Sequence, residues 1–163
     1  MIKYLFNPAE LINEKFSALS LAGFLLSGPA FALFFLQTAI DSGSSVFFGL
    51  FKGVLFGTLG IAFAGILIWL IVKIAGSNSG LMSVMGAIAL SYTSTLIFTI
   101  VGLFLHFSLG WNTALSCGIT GVLSAFGPMS GVISAITNGR KTLNIFILTL
   151  TGLYIIFFWA ILT

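Results

Sequence analysis

Long apolar stretches alternate with short polar turns along most of the chain. Polar residues interrupt the pattern at 41–45, at 76–80, around 111–112 and at 138–141. Each stretch between these turns is long enough for a helix that crosses the hydrocarbon of a bilayer, which takes about 20 residues. We therefore predict an all-α fold, a polytopic transmembrane helix bundle whose five spans lie at about 17–40, 46–74, 81–107, 113–137 and 142–162.

The segment 1–16 is mixed in character and precedes the transmembrane domain, 17–163. Asn7, Pro8 and Glu10 stand where an N-cap, a first helical residue and a capping-box partner are expected. The apolar residues that follow share one helical face. We predict a short amphipathic helix lying at the membrane surface, with a simple aqueous extension of the first span as the alternative.

The second span carries a stripe of small residues. At about 100° per residue, five of them fall within an arc of about 80°. They are Gly49, Gly53, Gly57, Gly60 and Ala64. In lipid, such a stripe lets the backbone of another helix approach closely. We therefore expect the second span to be the helix against which its neighbours pack.

The other four spans differ in polarity. Gly28-Pro29 in the first span predicts a kink. The middle of the third span is rich in hydroxyl groups, which we interpret as donors to backbone carbonyls, with a polar substrate path as the alternative. The fourth span is the least hydrophobic, so we place it inside the bundle, with Gly127 and Gly131 at a second close crossing. The fifth span is uniformly apolar and is expected to face lipid.

The composition excludes a soluble domain and leaves few residues for a catalytic, metal or cofactor site. The chain is 59% hydrophobic and 6% charged, which is more apolar surface than a soluble fold of 163 residues can hide. The net charge of +3 does not indicate nucleic-acid binding, because six scattered basic residues make no patch for a phosphate backbone. One histidine, His106, one cysteine, Cys117, and three acidic residues leave little from which to assemble a catalytic, metal or cofactor site. We expect no enzyme and no cofactor.

The basic residues also predict orientation. With five spans, all but Lys52 fall on one side, which the positive-inside rule assigns to the cytoplasm. That places the N-terminus in the cytoplasm and the C-terminus outside. The residues on the cytoplasmic side are Lys3, Lys15, Lys73, Arg140 and Lys141.

Four residues are candidates for contact with a lipid or a partner. Lys52 lies about two turns into the second span and either extends its ammonium to the headgroups or faces an anionic lipid or partner between helices. Glu10 and Glu14 are four residues apart on the N-terminal helix, where like charges repel unless a positively charged group lies nearby. Tyr92, in the hydroxyl-rich part of the third span, is the fourth.

Several short motifs, in order, resemble the Yip-domain family of Ypt/Rab-interacting membrane proteins. They are Asn7-Pro8, Gly28-Pro29, Lys52 followed by Phe56-Gly57 and Gly60, and Ser79-Gly80 followed by Gly86 and Tyr92. The resemblance covers essentially the whole chain and implies five spans with a cytoplasmic N-terminus. Tyr92 follows Ser91 where family members often have a Gly-Tyr pair, and only about sixteen residues precede the first span. A contact with a Rab-type GTPase is therefore not expected, and a prokaryotic plasma membrane is the expected location.

The sequence thus predicts a non-enzymatic membrane protein that organises the membrane or serves as a scaffold or a subunit of a larger assembly. Its expected partners are membrane lipids and other transmembrane proteins, or further copies of itself. The alternative is a small uncoupled transporter or lipid conduit, lined by the third and fourth spans.

Overall fold

The computed structural model of the chain describes residues 5, 7–13, 18–111 and 114–162, and within these ranges the regular structure is helical throughout. A 3₁₀ helix comes first, at Pro8–Asn13. The α-helices are α1 Ala18–Ser42, α2 Val46–Leu55, α3 Ile61–Ile74, α4 Leu81–Ser91, α5 Thr93–Leu109, α6 Ala114–Ile136 and α7 Lys141–Leu162. A π-helical turn, Phe56–Gly60, joins α2 to α3.

Five helical stretches in the described part of the chain are long and apolar enough to cross a membrane. They lie at Leu21–Ser42, Val46–Ile74, Leu81–Leu109, Ser116–Ile136 and Lys141–Phe158. The predicted all-α bundle of five spans is therefore confirmed. In these terms the first span is α1, the second is α2, the π-helical turn and α3 together, the third is α4 with α5, the fourth is α6 and the fifth is α7.

The first span, not the second, is the central helix. It packs against the second, third and fourth spans, and 56% of its membrane-spanning window is buried, against 33% for the second. Our expectation that the neighbours gather around the second span is wrong. A glycine stripe allows one close approach along one face, whereas the first span presents small and aromatic side chains on several faces. Those fully enclosed include Ala30, Phe31, Phe35 and Ala39.

The fourth and fifth spans lie further out than the first. The fourth span has 39% of its window buried, less than the first or the third, so it is not the interior helix that its composition predicted. Its small residues are divided between a packed face and an exposed face. The fifth span has only 17% of its window buried, and large apolar side chains cover its outer face as expected.

The N-terminal helix is docked into the bundle and does not lie on its surface. Pro8–Asn13 packs against the third and fourth spans, and Leu11 is 1% exposed within the main hydrophobic core. The segment is thus two turns of 3₁₀ helix whose apolar face is covered by the third and fourth spans, and its position at the membrane surface stays a prediction. Asn7 and Glu10 do pair, through a hydrogen bond of 3.1 Å from Asn7 Nδ2 to Glu10 Oε1. This bond joins two side chains, whereas the expected capping box joins each side chain to a backbone N–H.

Two breaks in helical regularity lie in the middle of the spans. The second span widens into the π-helical turn at Phe56–Gly60, and the third span breaks at Tyr92, whose backbone (φ −82°, ψ 8°) leaves the α-helical region. The first span remains continuous through Pro29. Interruptions of this kind are tolerated inside a bilayer only where neighbouring helices satisfy the freed backbone groups.

Candidate functional site

Three glycines of the predicted stripe face the first span at close range. A methyl group placed on Gly49 would lie 2.8 Å from the Ala39 Cβ, and one on Gly57 would lie 2.8 Å from the Gly28 Cα. At Gly53 the methyl group would lie 2.5 Å from the Ala32 Cα. The stripe therefore closes a contact within the chain, and its buried surface is not free to bind another protein.

Gly60 departs from this face. A methyl group there would meet the ring of Phe56 in its own helix at 2.8 Å, and the three atoms nearest to it all belong to that ring and not to the first span. A π-helical turn contains an extra residue, so every later position is rotated away from the arc that a regular helix predicts. Instead, the Gly60 carbonyl accepts a hydrogen bond of 2.9 Å from the Tyr154 hydroxyl of the fifth span.

The second close crossing predicted at Gly127 and Gly131 does not exist. Both residues are exposed, and a methyl group on either would meet nothing within 4 Å. The close contacts are formed between two and three turns earlier in the fourth span. A methyl group on Gly121 would lie 3.0 Å from the Thr95 Cα, and Gly118 lies under the Phe34 ring.

Tyr92 is not a surface residue. Its side chain is fully buried, and its ring lies 5.2 Å from the ring of Phe31, centroid to centroid. The prediction that it contacts a lipid or a partner is therefore wrong, because the break in the third span turns it towards the first. Its hydroxyl has no hydrogen-bond partner among the described residues.

The other candidate contacts remain at the periphery. Lys52 is partly exposed on the second span, next to Gly53, and Glu10 is partly exposed and bonded to Asn7. Glu14 lies outside the described residues. Of the described candidates, Lys52 lies on the second span and Glu10 on the N-terminal 3₁₀ helix.

Serine and threonine hydroxyls in the middle of the third span donate to backbone carbonyls within the fold. Ser91 donates to the Ala87 carbonyl at 3.0 Å and Thr99 to the Thr95 carbonyl at 2.9 Å, both in their own span. Thr95 donates to the Gly121 carbonyl of the fourth span, also at 2.9 Å. These groups stabilise the helices and their crossing and do not line a polar path, so the structural interpretation of these hydroxyls is confirmed.

Two polar side chains that sequence analysis missed also join spans. Gln37 in the first span is fully buried and donates from Nε2 to the Thr99 carbonyl at 2.7 Å. Ser27 donates to the carbonyl of Gly57 in the π-helical turn, at 2.7 Å. A usable signal existed for Gln37, because it is the only glutamine of the chain and lies in the middle of an apolar run.

The fifth span stands off from the rest of the bundle and leaves an apolar groove beside it. This lateral groove, of about 600 Å³, runs between the second and fifth spans. A separate cavity of about 340 Å³ lies on the other side of the fifth span, against phenylalanines of the first. In the described part of the chain, no three His, Cys, Asp or Glu side chains gather as a metal site.

Comparison of the chain with family models, with curated proteins and with solved structures finds no match. The architecture on which a functional assignment can be based is therefore that of the chain itself. It is a bundle of five helices long and apolar enough to span a membrane, of which the fifth is the least buried.

Proposed function

We propose that this chain is a non-enzymatic membrane protein of the Yip-domain type that organises the membrane or serves as a subunit of a larger assembly. In this proposal it binds other transmembrane proteins, or a second copy of itself, through its fifth span. The observation that carries the proposal is the 17% burial of that span's membrane window, the lowest of the five spans in the described part of the chain.

The outer face of the fifth span is large and apolar. Side chains that are 53–65% exposed follow one another along it: Ile145, Phe146, Leu153, Ile156, Phe157 and Ile161. Helices associate in lipid through van der Waals packing and interhelical hydrogen bonds. Because the stripe of the second span is already used inside the chain, the fifth span offers the more accessible surface for a partner helix.

The attachment of the fifth span to the bundle is also light. In the described part of the chain, side-chain hydrogen bonds join it to other spans at two places. Tyr154 donates to the Gly60 carbonyl at 2.9 Å, and Asn144 donates to Ser130 at 3.2–3.3 Å. Hydrogen bonds of this kind contribute about 0.6 kcal/mol on average within membranes. Such a helix gains from a partner that covers its outer face.

The location and orientation are part of the same proposal. Lys73, Arg140 and Lys141 lie at one end of the spans, and Lys52 lies towards the other. The positive-inside rule then supports a cytoplasmic N-terminus in a prokaryotic plasma membrane and an outside C-terminus. Neither nucleic acid nor a Rab-type GTPase is a partner in this proposal.

A lipid conduit or uncoupled transporter through the third and fourth spans remains the alternative function. The contacts weigh against it, because Thr95 and Thr99 donate to backbone carbonyls and Gly121 closes tightly against Thr95. Flux through vesicles that contain the reconstituted protein would favour the alternative.

Site-specific cross-linking tests the proposed contact. In a background in which Cys117 is replaced by alanine, Ile156→Cys and Ile97→Cys form a matched pair. The two isoleucines are 61% and 58% exposed and lie at similar distances from the start of their spans. A thiol-attached photo-cross-linker in native membranes should join Ile156→Cys to a polypeptide of constant mass, either a partner or a second copy.

The Ile97→Cys control should yield little of that adduct, because the third span is not the proposed contact. Equal yields from the two positions, or adducts to lipid alone from Ile156→Cys, would contradict the proposal.

A further inference from the structure

The lateral groove has apolar walls along its length. The second span contributes Ala64, Ile68 and Ile71, and the fifth span contributes Ile147 and Tyr154. It exists because the two spans meet closely at the hydrogen bond between Tyr154 and Gly60 and are otherwise loosely packed. In a bilayer, an apolar groove of about 600 Å³ that opens sideways is filled by hydrocarbon, since water would gain no hydrogen bonds there.

The length of the groove matches one leaflet. Its lining on the fifth span runs from Ile147 to Phe157, a rise of roughly 15 Å at 1.5 Å per residue. Half of the hydrocarbon core of a bilayer is about 15 Å thick. A single acyl chain lying in the groove would therefore extend from the bilayer centre, near Tyr154, to the membrane surface near Ala75.

A basic depression continues the groove at that surface. It measures about 680 Å³ and is lined by Ala75, Arg140, Lys141, Thr142, Leu143 and Phe146. Ala75 and Leu143 stand one helical turn beyond the groove-lining Ile71 and Ile147, so the two features follow the same helix faces.

The tight turn before the fifth span positions the cations of this depression. Asn138 and Gly139 take left-handed backbone angles (φ 52° and 75°), which reverse the chain within a few residues. Arg140 then donates from Nη1 to the Ala75 carbonyl at 3.1 Å, which ties its guanidinium to the end of the second span. An arginine has five N–H donors, so others remain for a ligand.

Arg140 and Lys141 form no ion pair with an acid of the described part of the chain. Glu10 accepts from Asn7, and Asp41 lies at the far end of the first span. Arg140 and Lys141 are both exposed. The depression therefore presents positive charge and hydroxyl and guanidinium donors to whatever occupies it.

We propose that the lateral groove and its basic end form a binding site for one anionic phospholipid. An acyl chain lies between the second and fifth spans, and the headgroup phosphate binds Arg140, Lys141 and the hydroxyl of Thr142. Basic pockets between transmembrane helices are a known kind of site for acidic headgroups. The proposal does not rest on a protein partner at the outer face of the fifth span, although Leu153 and Phe157 belong both to that face and to the groove lining.

Native mass spectrometry of the full chain in mild detergent, titrated with phosphatidylglycerol or phosphatidylcholine, tests this proposal. The double variant Arg140→Gln/Lys141→Gln should lower the affinity for the first phosphatidylglycerol molecule about 30-fold, at roughly fivefold per cation. It should change phosphatidylcholine binding little. Lys73→Gln is the matched control, because Lys73 is equally exposed at the same end but about 180° around the helix from the groove.

A second variant tests the acyl chain separately from the headgroup. Leu150 lines the groove and is 40% exposed, so the larger side chain of Leu150→Trp should fill the groove and lower the affinity for both phospholipids. Ile145→Trp, on the same span but outside the groove lining, should have little effect. Soluble glycerol 3-phosphate should not displace the lipid.

Three results would overturn the proposal. The first is an equal loss with Lys73→Gln, which would indicate a diffuse charge effect. The second is unchanged lipid affinity in Leu150→Trp. The third is displacement by glycerol 3-phosphate at comparable concentration, which would make the site one for a free phosphate.

Discussion

The contact between the first and second spans rests on Gly53, and adding one methyl group there provides a sharp test of the packing. In Gly53→Ala the new Cβ would lie 2.5 Å from the Ala32 Cα and 2.7 Å from the Phe31 carbonyl carbon. Carbon atoms prefer separations of about 3.5–4.0 Å, so the two backbones must move apart by roughly 1 Å. Both atoms belong to the main chain, and rotation of a side chain cannot relieve the clash.

The expected cost follows from two opposing effects. Overpacking of this kind costs about 1–3 kcal/mol, while replacing glycine with alanine in a helix regains up to about 1 kcal/mol. The separation also stretches the neighbouring bond from Ser27 to the Gly57 carbonyl. We therefore expect Gly53→Ala to be destabilised by about 1–2 kcal/mol overall.

Gly127→Ala is the matched control, because a methyl group there meets nothing within 4 Å. It should keep or raise stability by up to about 1 kcal/mol. The measurement is the midpoint of unfolding by sodium dodecyl sulfate, followed by the loss of helical circular dichroism. If both alanine variants shift the midpoint in the same direction by a similar amount, the close packing of the first and second spans is refuted.

Two further predictions concern buried polar groups. Tyr154→Phe should lower stability by about 0.6 kcal/mol, and by at most about 1.7 kcal/mol, because it removes the hydrogen bond to the Gly60 carbonyl. Tyr92→Phe should be neutral or stabilising, because the Tyr92 hydroxyl has no hydrogen-bond partner among the described residues. Faster hydrogen exchange in the fifth span of Tyr154→Phe alone would support this, and equal effects of the two variants would contradict it. Gln37→Leu removes the bond to the Thr99 carbonyl together with an unpartnered oxygen, so its unfolding midpoint should stay close to that of the parent. Gln37→Ala, which also leaves a cavity, should be less stable than the parent by about 1 kcal/mol or more. A large loss of stability in the leucine variant would show that the hydrogen bond matters more than the volume of the side chain.

Sequence reasoning succeeded where the signal is carried by long runs of residues. The number and approximate limits of the spans follow from apolar length, because a helix that crosses hydrocarbon must satisfy its own backbone and present apolar side chains. The hydroxyl groups of the third span were also correctly interpreted, since Ser and Thr in such helices find nearby carbonyls. These are local properties.

It failed where the outcome depends on which face meets which neighbour. The regular helical wheel assigned Gly60 to the stripe, but the π-helical turn rotated it away. Gly127 and Gly131 satisfied the same spacing rule as Gly53 and Gly57, and yet they face outwards. Small residues permit a close approach without requiring one, so spacing alone could not tell a packed glycine from an exposed one.

The amino-acid sequence by itself determined that this is an all-helical protein with five membrane-spanning segments, because hydropathy and segment length act on each helix separately. Only the tertiary structure decided that the first span is central, that the N-terminal 3₁₀ helix packs against the third and fourth spans, and that the fifth span stands apart. Lipid is as apolar as the helices, so burial offers little drive to choose among faces. That choice depends on the fit of side chains and on a few hydrogen bonds between distant residues, such as the one from Tyr154 to Gly60.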